Sequence, residues 1–308
     1  MDLERFDRHV RLFGQEGQER LGQVRVAVIG LGGLGSHVVQ QLCYVGVRRF
    51  RLLDGECVAM SNLNRLVGAR LDDARAGRQK VEVAERVVRA VDPDADTRVA
   101  GESFISEAGF ELMRSCDVVF GCLDDDAARV PLNEFCQAFE VPYFDLATDV
   151  SRDTEGRLTF GGRILFSTAG EMCVQCKDLL DPEEVAAAFM TDGQERDWES
   201  VYGVPRRVLG QRSPSVVSLN GLVASTAVTE FLCEVTGLRP AARLLVYHGM
   251  RGILVKDVDA SAPDCYYCKG LRGRSEAADW FRYVREGWGE RLSARRQTEN
   301  ESGRHAGR

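Results

Sequence analysis

Apolar runs alternate with amphipathic stretches from Val24 onward. "VRVAVIG" and "FRLLD" are short and unbroken, as in strands buried on both faces, and "HVVQQLCYVG" between them has the spacing of a crossover helix. In "RQKVEVAERVVRAV", Val83, Val87, Val88 and Val91 share one helical face. "DVVFGCLDDD" predicts a further strand that ends in acids, and "VPYFDLAT", after the helix "RVPLNEFCQAFE", predicts another. Repeated strand–helix units of this kind predict a right-handed, doubly wound sheet.

After Ser151 the rhythm changes. In "RLTFGGRILF" the pair Gly161-Gly162 separates two apolar runs, which predicts an antiparallel hairpin. "RLLVYHGMRGILVKDV" repeats the pattern around Gly249 to Gly252. Between them, Asp181 in "DPEE" has the place of an N-cap, followed by proline and acids in a first helical turn. "SPSVVSLNGLVASTAVTEFLCEVTG" predicts a mostly buried helix that stops at Gly237. The expected fold class is α/β, with a mixed sheet that has a parallel core and antiparallel hairpins. Past Leu292 the tail "SARRQTENESGRHAGR" has almost nothing to bury, and disorder is expected there.

Composition narrows the chemistry. With 308 residues, 44% apolar and 28% charged, the chain has the make-up of a soluble globular protein with a substantial core. The net charge of -7 argues against a general nucleic-acid binder, which carries a basic surplus. The most apolar run contains Asn220, Glu230 and Glu234, so no membrane span is expected. "MDLERFDRHVRLF" mixes both signs of charge and shows no signal-peptide pattern. A cytoplasmic location is therefore expected, where ten cysteines point to metal or redox chemistry before disulfides.

Gly30, Gly32 and Gly35 form G-x-G-x-x-G between a strand and a helix, with Gly33 inside the turn. Glycine lets backbone N–H groups approach phosphate at a positively polarised helix end. Asp54 ends the next strand, where a carboxylate can accept hydrogen bonds from ribose hydroxyls. All of this suits a nicotinamide dinucleotide as well as ATP. Downstream residues separate the two. "SNLNR" supplies Asn62 and Arg65, and "GRQK" places Lys80 at a helix start in a chain that has four lysines and generally uses arginine for positive charge. A triphosphate needs more cationic donors than a pyrophosphate, and a magnesium ligand; Asp124 in "GCLDDDAAR" is a suitable carboxylate.

"CVQC" (Cys173, Cys176) and "CYYC" (Cys265, Cys268) are two C-x-x-C knuckles. Four thiolates at this spacing close a tetrahedral zinc site with Zn–S distances of about 2.3 Å, and having two pairs weighs against a thioredoxin-like motif. Most other cysteines fall in apolar positions, whereas Cys57 follows Asp54 near the expected nucleotide. The histidines share no motif, so no Ser-His-Asp or Cys-His constellation is supported.

Together, "RFDRHVRLFGQEGQERLGQVRVAVIGLGGLGS", "LLDGECVAMSNLNR", "GRQKVE" and "CLDDDAARVPLN" resemble successive motifs of the ThiF/MoeB and ubiquitin-activating-enzyme adenylation fold, over residues 5 to 270. The resemblance implies a Rossmann-like sheet on which the glycine turn and Asp54 hold ATP. Asn62, Arg65 and Lys80 would surround the phosphates, and Asp124 would take Mg²⁺. It also implies a structural zinc on the four paired cysteines, and a homodimer in which Arg8 of "RFDRH" reaches the ATP site of the partner subunit. One departure stands out: this chain has Leu123-Asp124-Asp125 where the family commonly has T-D-N.

The implied activity is ATP-dependent adenylation of a carboxylate with release of pyrophosphate. Its expected substrate is the C-terminal glycine of a ubiquitin-like or sulfur-carrier protein, with a peptide antibiotic precursor as an alternative. A nicotinamide-dependent oxidoreductase and a catalytically dead scaffold are the readings from other classes. Residues 1–166 are expected to form the ATP-binding part and 167–270 the zinc-bound half of the same domain. Residues 271–308 would be an extension, helical and then disordered. Members of the family that form thioesters usually carry the cysteine after the first zinc pair. Lys177 to Leu232 contains none, so the acyl-adenylate is expected as the product, with Cys57 the first candidate for an unconventional nucleophile.

Overall fold

The structure, a computed structural model, describes residues 3–152, 155–168, 172–190, 215–257 and 262–294. Eight strands form one sheet in the order β3-β2-β1-β4-β5-β6-β7-β8. β1 (Arg25–Ile29), β2 (Arg49–Leu53), β3 (Asp96–Ala100), β4 (Val118–Gly121) and the start of β5 (Tyr143–Arg152) pair in parallel. β6 (Leu158–Ser167), β7 (Leu244–His248) and β8 (Ile253–Lys256) then extend the sheet antiparallel from β5.

The two-residue period of each strand divides the core between the faces of the sheet. Val26 and Val28 of β1, with Phe50 and Leu52 of β2, pack in one cluster against α1 (Leu3–Gln23), α2 (Gly33–Val45), α4 (Lys80–Val91) and α8 (Val217–Thr236). Ala27, Ile29 and Leu53 belong to the opposite cluster, covered by α5 (Glu107–Arg114) and α6 (Asp126–Ala138). The short helices α3 (Leu71–Ala76), α7 (Pro182–Ala188) and α9 (Arg282–Arg285) complete the layers. The doubly wound α/β arrangement and the mixed sheet expected from the apolar pattern are both present.

Two local expectations are met in detail. Asp181 caps α7 by accepting the N–H groups of Glu183 at 2.8 Å and Glu184 at 3.2 Å. α8 ends at Gly237 in the left-handed conformation. A third is corrected. Gly161 and Gly162 do not turn, because β6 runs straight through them, with Gly162 beside Thr148 and Tyr247. A Cβ at Gly162 would lie 2.4 Å from Val223 Cγ2, so close approach to α8 selects the glycine. The hairpin is β5–β6, joined between Arg152 and Leu158, while the second one, β7–β8, does turn at Gly249 to Gly252.

The segment beyond residue 271 is part of the core. Trp280, 1% exposed, stacks on Phe110 with ring centroids 5.4 Å apart and donates Nε1–H to Pro131 O at 2.8 Å. Tyr283 donates its hydroxyl to buried Glu134 at 2.9 Å. Of the tail expected to be disordered past Leu292, Ser293 and Ala294 are described and continue a helical turn; residues 295–308 lie outside the described residues, as do 191–214 of the crossover segment.

Candidate active site

A cavity of about 700 Å³ opens beyond the paired ends of β1 and β4, where the strand order switches from β2 and β3 on one side of β1 to β4 on the other. Gly30 leaves β1 with φ 85°, and a Cβ there would lie 2.7 Å from the carbonyl oxygen of Cys122, so the turn excludes any side chain. A Cβ at Gly33 would lie 2.2 Å from Asn220 Nδ2. α2 begins at this point with Gly32 as its N-cap and no side-chain capping bond. Gly32, Gly33 and Leu34 line the cavity, which leaves a positively polarised helix end open to an anion. Gly35 packs inward, where a Cβ would collide with Gly30 O.

Asp54 follows β2 and is tied on both oxygens: Oδ2 accepts Leu31 N–H at 2.7 Å and Oδ1 accepts Glu56 N–H at 2.8 Å. Lys80, the first residue of α4, reaches under it. Its Nζ lies 2.5 Å from Glu56 Oε2 and 3.8 Å from Asp54 Oδ2. Backbone bonds fix this approach, from Lys80 N–H to Glu56 O at 3.0 Å and from Val58 N–H to Arg78 O at 2.8 Å. Burial alone would lower the Lys80 pKa. The charges of Asp54 and Glu56, then that of Asp124, outweigh it, and the pKa is raised. The result is a buried, fully charged ammonium on the cavity wall.

Asn62 is buried and accepts Ala59 N–H at 2.9 Å, closing the 3₁₀ turn Met60–Asn62. That turn sets Arg65, whose Nη1 donates to Ser61 O at 2.6 Å and whose Cδ lies 3.4 Å from a Cβ built on Gly33. Asp124 lines the same cavity. Its neighbour Asp125 explains the departure from T-D-N: the carboxylate caps α6, accepting Ala127 N–H at 2.8 Å and Ala128 N–H at 3.4 Å. Aspartate and asparagine serve equally well at an N-cap.

The sequence-predicted residues Gly30, Gly32, Gly33, Asp54, Asn62, Arg65, Lys80 and Asp124 thus line one cavity. Arg8 does not; it is exposed on α1. Cys57 is also exposed and is not on the cavity wall.

Sequence reasoning missed the other half of the cavity. Arg129, 2% exposed, pairs with Asp145, which is 0% exposed, and lies 3.1 Å from Asp126. It also donates to the carbonyls of Leu123 and, at 3.0 Å, Leu146, joining the exit of β4 to β5. Tyr143 donates to Asp145 at 2.7 Å, and burial beside that carboxylate holds the phenol well above its ordinary pKa. Arg163 of β6 stands 3.5 Å from Asp145 Oδ2. Thr148 donates to Asn220 Oδ1 at 3.2 Å, next to the glycine turn. Asp126 accepts Asp181 N–H at 2.9 Å and so anchors the start of α7 beside the cavity. Acids inside otherwise apolar runs, such as Asp145 in "VPYFDLAT", were the available signal.

Away from the cavity the two cysteine pairs meet. Sγ–Sγ distances are 3.8 Å for Cys173–Cys265 and 3.8 Å for Cys176–Cys268, and all four sulfurs lie within 4.8 Å of one another. A tetrahedron with metal–sulfur bonds of about 2.3 Å has edges of about 3.8 Å, so the donor set fits zinc with no position left for water.

A model of the ThiF family matches residues 6–269. The chain belongs to the ThiF family. Among curated relatives, "Adenylyltransferase and sulfurtransferase MOCS3-1" of Zea mays is 27% identical over 267 residues, covering 86% of this chain and 51% of that protein. "Molybdopterin-synthase adenylyltransferase" of Escherichia coli strain K12 is 32% identical over 177 residues, covering 57% of this chain and 68% of that protein. The chain spans about half the length of the MOCS3 relatives it matches. Among solved structures, E. coli MccB with ATP superimposes with a TM-score of 0.65 at 16% identity, covering 86% of this chain and 74% of that one. That likeness places the ThiF-family chain on the same fold. No helix among the described residues is long and apolar enough to cross a membrane.

Proposed function

We propose that this chain activates a carboxylate by adenylation with ATP. The observation that supports it is one cavity lined together by the open start of α2, Arg65, Lys80, Thr148, Asn220 and Arg163. Asp54 binds the ribose hydroxyls, since each of its oxygens keeps accepting capacity beyond the N–H it already takes. The helix start, Asn62, Arg65 and Lys80 take the triphosphate. Lys80 is charged and desolvated before the ligand arrives, so it needs little reorganisation to stabilise phosphate charge.

The acyl carboxylate enters from the Thr148–Asn220 side and attacks the α-phosphorus. The bond to the bridging oxygen breaks and pyrophosphate leaves, its charge met by Arg65 and Lys80. Positioning and charge neutralisation suffice, with no side-chain nucleophile. Asp124, with Asp126 nearby on the cavity wall, offers the oxygen donors that Mg²⁺ takes. When bound there, the ion neutralises phosphate charge. The four cysteines hold a structural zinc, about one per chain.

We assign the substrate to the C-terminal glycine of a ubiquitin-like or sulfur-carrier protein, with adenylyltransferase in the names of the relatives as support. A peptide precursor is the second reading, favoured by the fold shared with MccB, which has been solved with N-formylated MccA. ATP–pyrophosphate exchange, assayed with carrier proteins and with peptides, tests both. Exchange that needs a carrier and is lost in Asp124→Ala supports the reading; saturable NAD binding without ATP binding overturns it.

The active unit is a homodimer in which Arg8 completes the site of the partner subunit. Mixed Arg8→Ala and Asp124→Ala chains regain exchange as heterodimers if this holds; heterodimers that form yet stay inactive sink it. The product is the acyl-adenylate, so non-reducing electrophoresis after incubation with ATP and carrier shows no thiol-sensitive adduct. An adduct lost in Cys57→Ala reverses that assignment.

A further inference from the structure

A second, smaller pocket continues from the main cavity past Asp54. The two share Gly30, Asp54, Glu56 and Leu123. Phe104 and Ile105, from the loop after β3, form one side, and Ala128 of α6 closes the back. Glu102 and Ser103 add polar lining, and the far end of the chain contributes Leu292 and Ser293. These two residues lie beyond position 269, where the family match stops.

The closing segment is built into place. A Cβ at Gly289 would lie 2.3 Å from the carbonyl oxygen of Ile105, so the segment touches the pocket loop backbone to backbone. Trp288 packs on Phe189, just past α7, with ring centroids 4.7 Å apart. Ser293 Oγ donates to Gly289 O at 2.7 Å, and Leu292 is 4% exposed.

We propose that the segment 288–294 completes a purine subsite and that Leu292 is its apolar wall, a specificity-determining residue outside the family's own motifs. This rests on the adenylation reading, in which Asp54 holds the ribose. The phosphates run from the ribose toward α2, so the base extends the other way, into the pocket bounded by Phe104, Ile105, Leu123, Ala128 and Leu292. A small, partly apolar pocket with polar groups at Glu102 and Ser103 suits a heteroaromatic ring that carries ring nitrogens.

The test is calorimetric titration of the full chain with ATP and, separately, with tripolyphosphate, which lacks ribose and base. Leu292→Trp fills the pocket and weakens ATP about tenfold while leaving tripolyphosphate unchanged. Leu292→Ala, which removes the wall without crowding it, narrows the preference for ATP over tripolyphosphate, and it decides the matter if the tryptophan variant does not fold. Thermal unfolding of each variant checks integrity. Folded variants with wild-type affinity for ATP, or with equal losses for both ligands, overturn the proposal. A wild-type chain that binds no ATP overturns the adenylation reading and the base subsite with it, whereas ATP binding that ignores position 292 overturns the subsite alone.

Discussion

Two buried cations line the same cavity and are held in opposite ways. Arg129 is surrounded by protein acceptors: Asp145, Asp126 and the carbonyls of Leu123 and Leu146. Of its two carboxylate partners, Asp126 borders the cavity, whereas Asp145, wholly buried, is not on the wall. Lys80 is nearly as buried, yet its partners Asp54 and Glu56 both border the cavity. The first arrangement fixes shape, by tying the exit of β4 to β5. The second keeps a charge where an incoming anion can share it. Burial plus charge therefore does not mark a ligand-binding residue; what sets Lys80 apart is that both of its counter-ions border the cavity.

The largest effect that follows concerns stability. Arg129→Met removes the closest counter-ion of the buried Asp145 carboxylate and leaves only Arg163, 3.5 Å away, which costs about 3–5 kcal/mol in chemical denaturation. Replacing both partners, as Arg129→Met with Asp145→Leu, recovers most of that loss because no charge is left stranded. A single variant that unfolds within about 1 kcal/mol of the wild type breaks the comparison at this end.

Next comes Lys80→Met, whose effect falls on exchange rather than on folding. Loss of one preorganised cation lowers exchange about 10²–10³-fold, while stability falls less than in Arg129→Met because the carboxylates left behind border an open cavity. The pH dependence has a definite sign. The folded-state pKa of Lys80 lies above its ordinary 10.5, so its stabilising contribution is complete below that pH. The contribution is lost as pH rises through the folded value. Denaturation at increasing alkaline pH therefore shows a limb in the wild type that is reduced in Lys80→Met. Equal alkaline limbs in the two proteins would contradict the assignment.

The open half of the site was the legible half, and the reason is local. Glycines at a strand–helix turn, an acid at a strand end and a lysine at a helix start all announce themselves within a few residues. The other half assembles Arg129 from α6, Asp145 from β5, Arg163 from β6 and Asn220 from α8, through tertiary packing that no local pattern encodes. Gly161-Gly162 misled for the same reason, since the clash that selects Gly162 comes from Val223 on a helix distant in sequence. β3 gave no apolar run because it is an edge strand with only Ala100 buried. The role of Trp280 was hidden as well, because a tryptophan near a polar tail shows no partner until Phe110 and Pro131 are in place.

The smallest expected effect lies between the two cations, in the run Asp124-Asp125-Asp126. These adjacent acids are divided among three tasks: Asp124 lines the cavity, Asp125 caps α6, and Asp126 pairs with Arg129. Asp125 is 8% exposed, and its hydrogen bonds from Ala127 and Ala128 are those an N-cap makes. An asparagine oxygen accepts the same two N–H groups, so Asp125→Asn stays within about 0.5 kcal/mol of the wild type and keeps its exchange activity. Asp125→Ala removes the acceptor and costs about 1 kcal/mol, read as a lower denaturation midpoint at unchanged slope. The pair also tests the division of labour. If Asp125→Asn abolishes exchange as Asp124→Ala does, the charge at position 125 serves the ligand as well as the helix, and the boundary between the open and closed regions moves one residue toward Arg129.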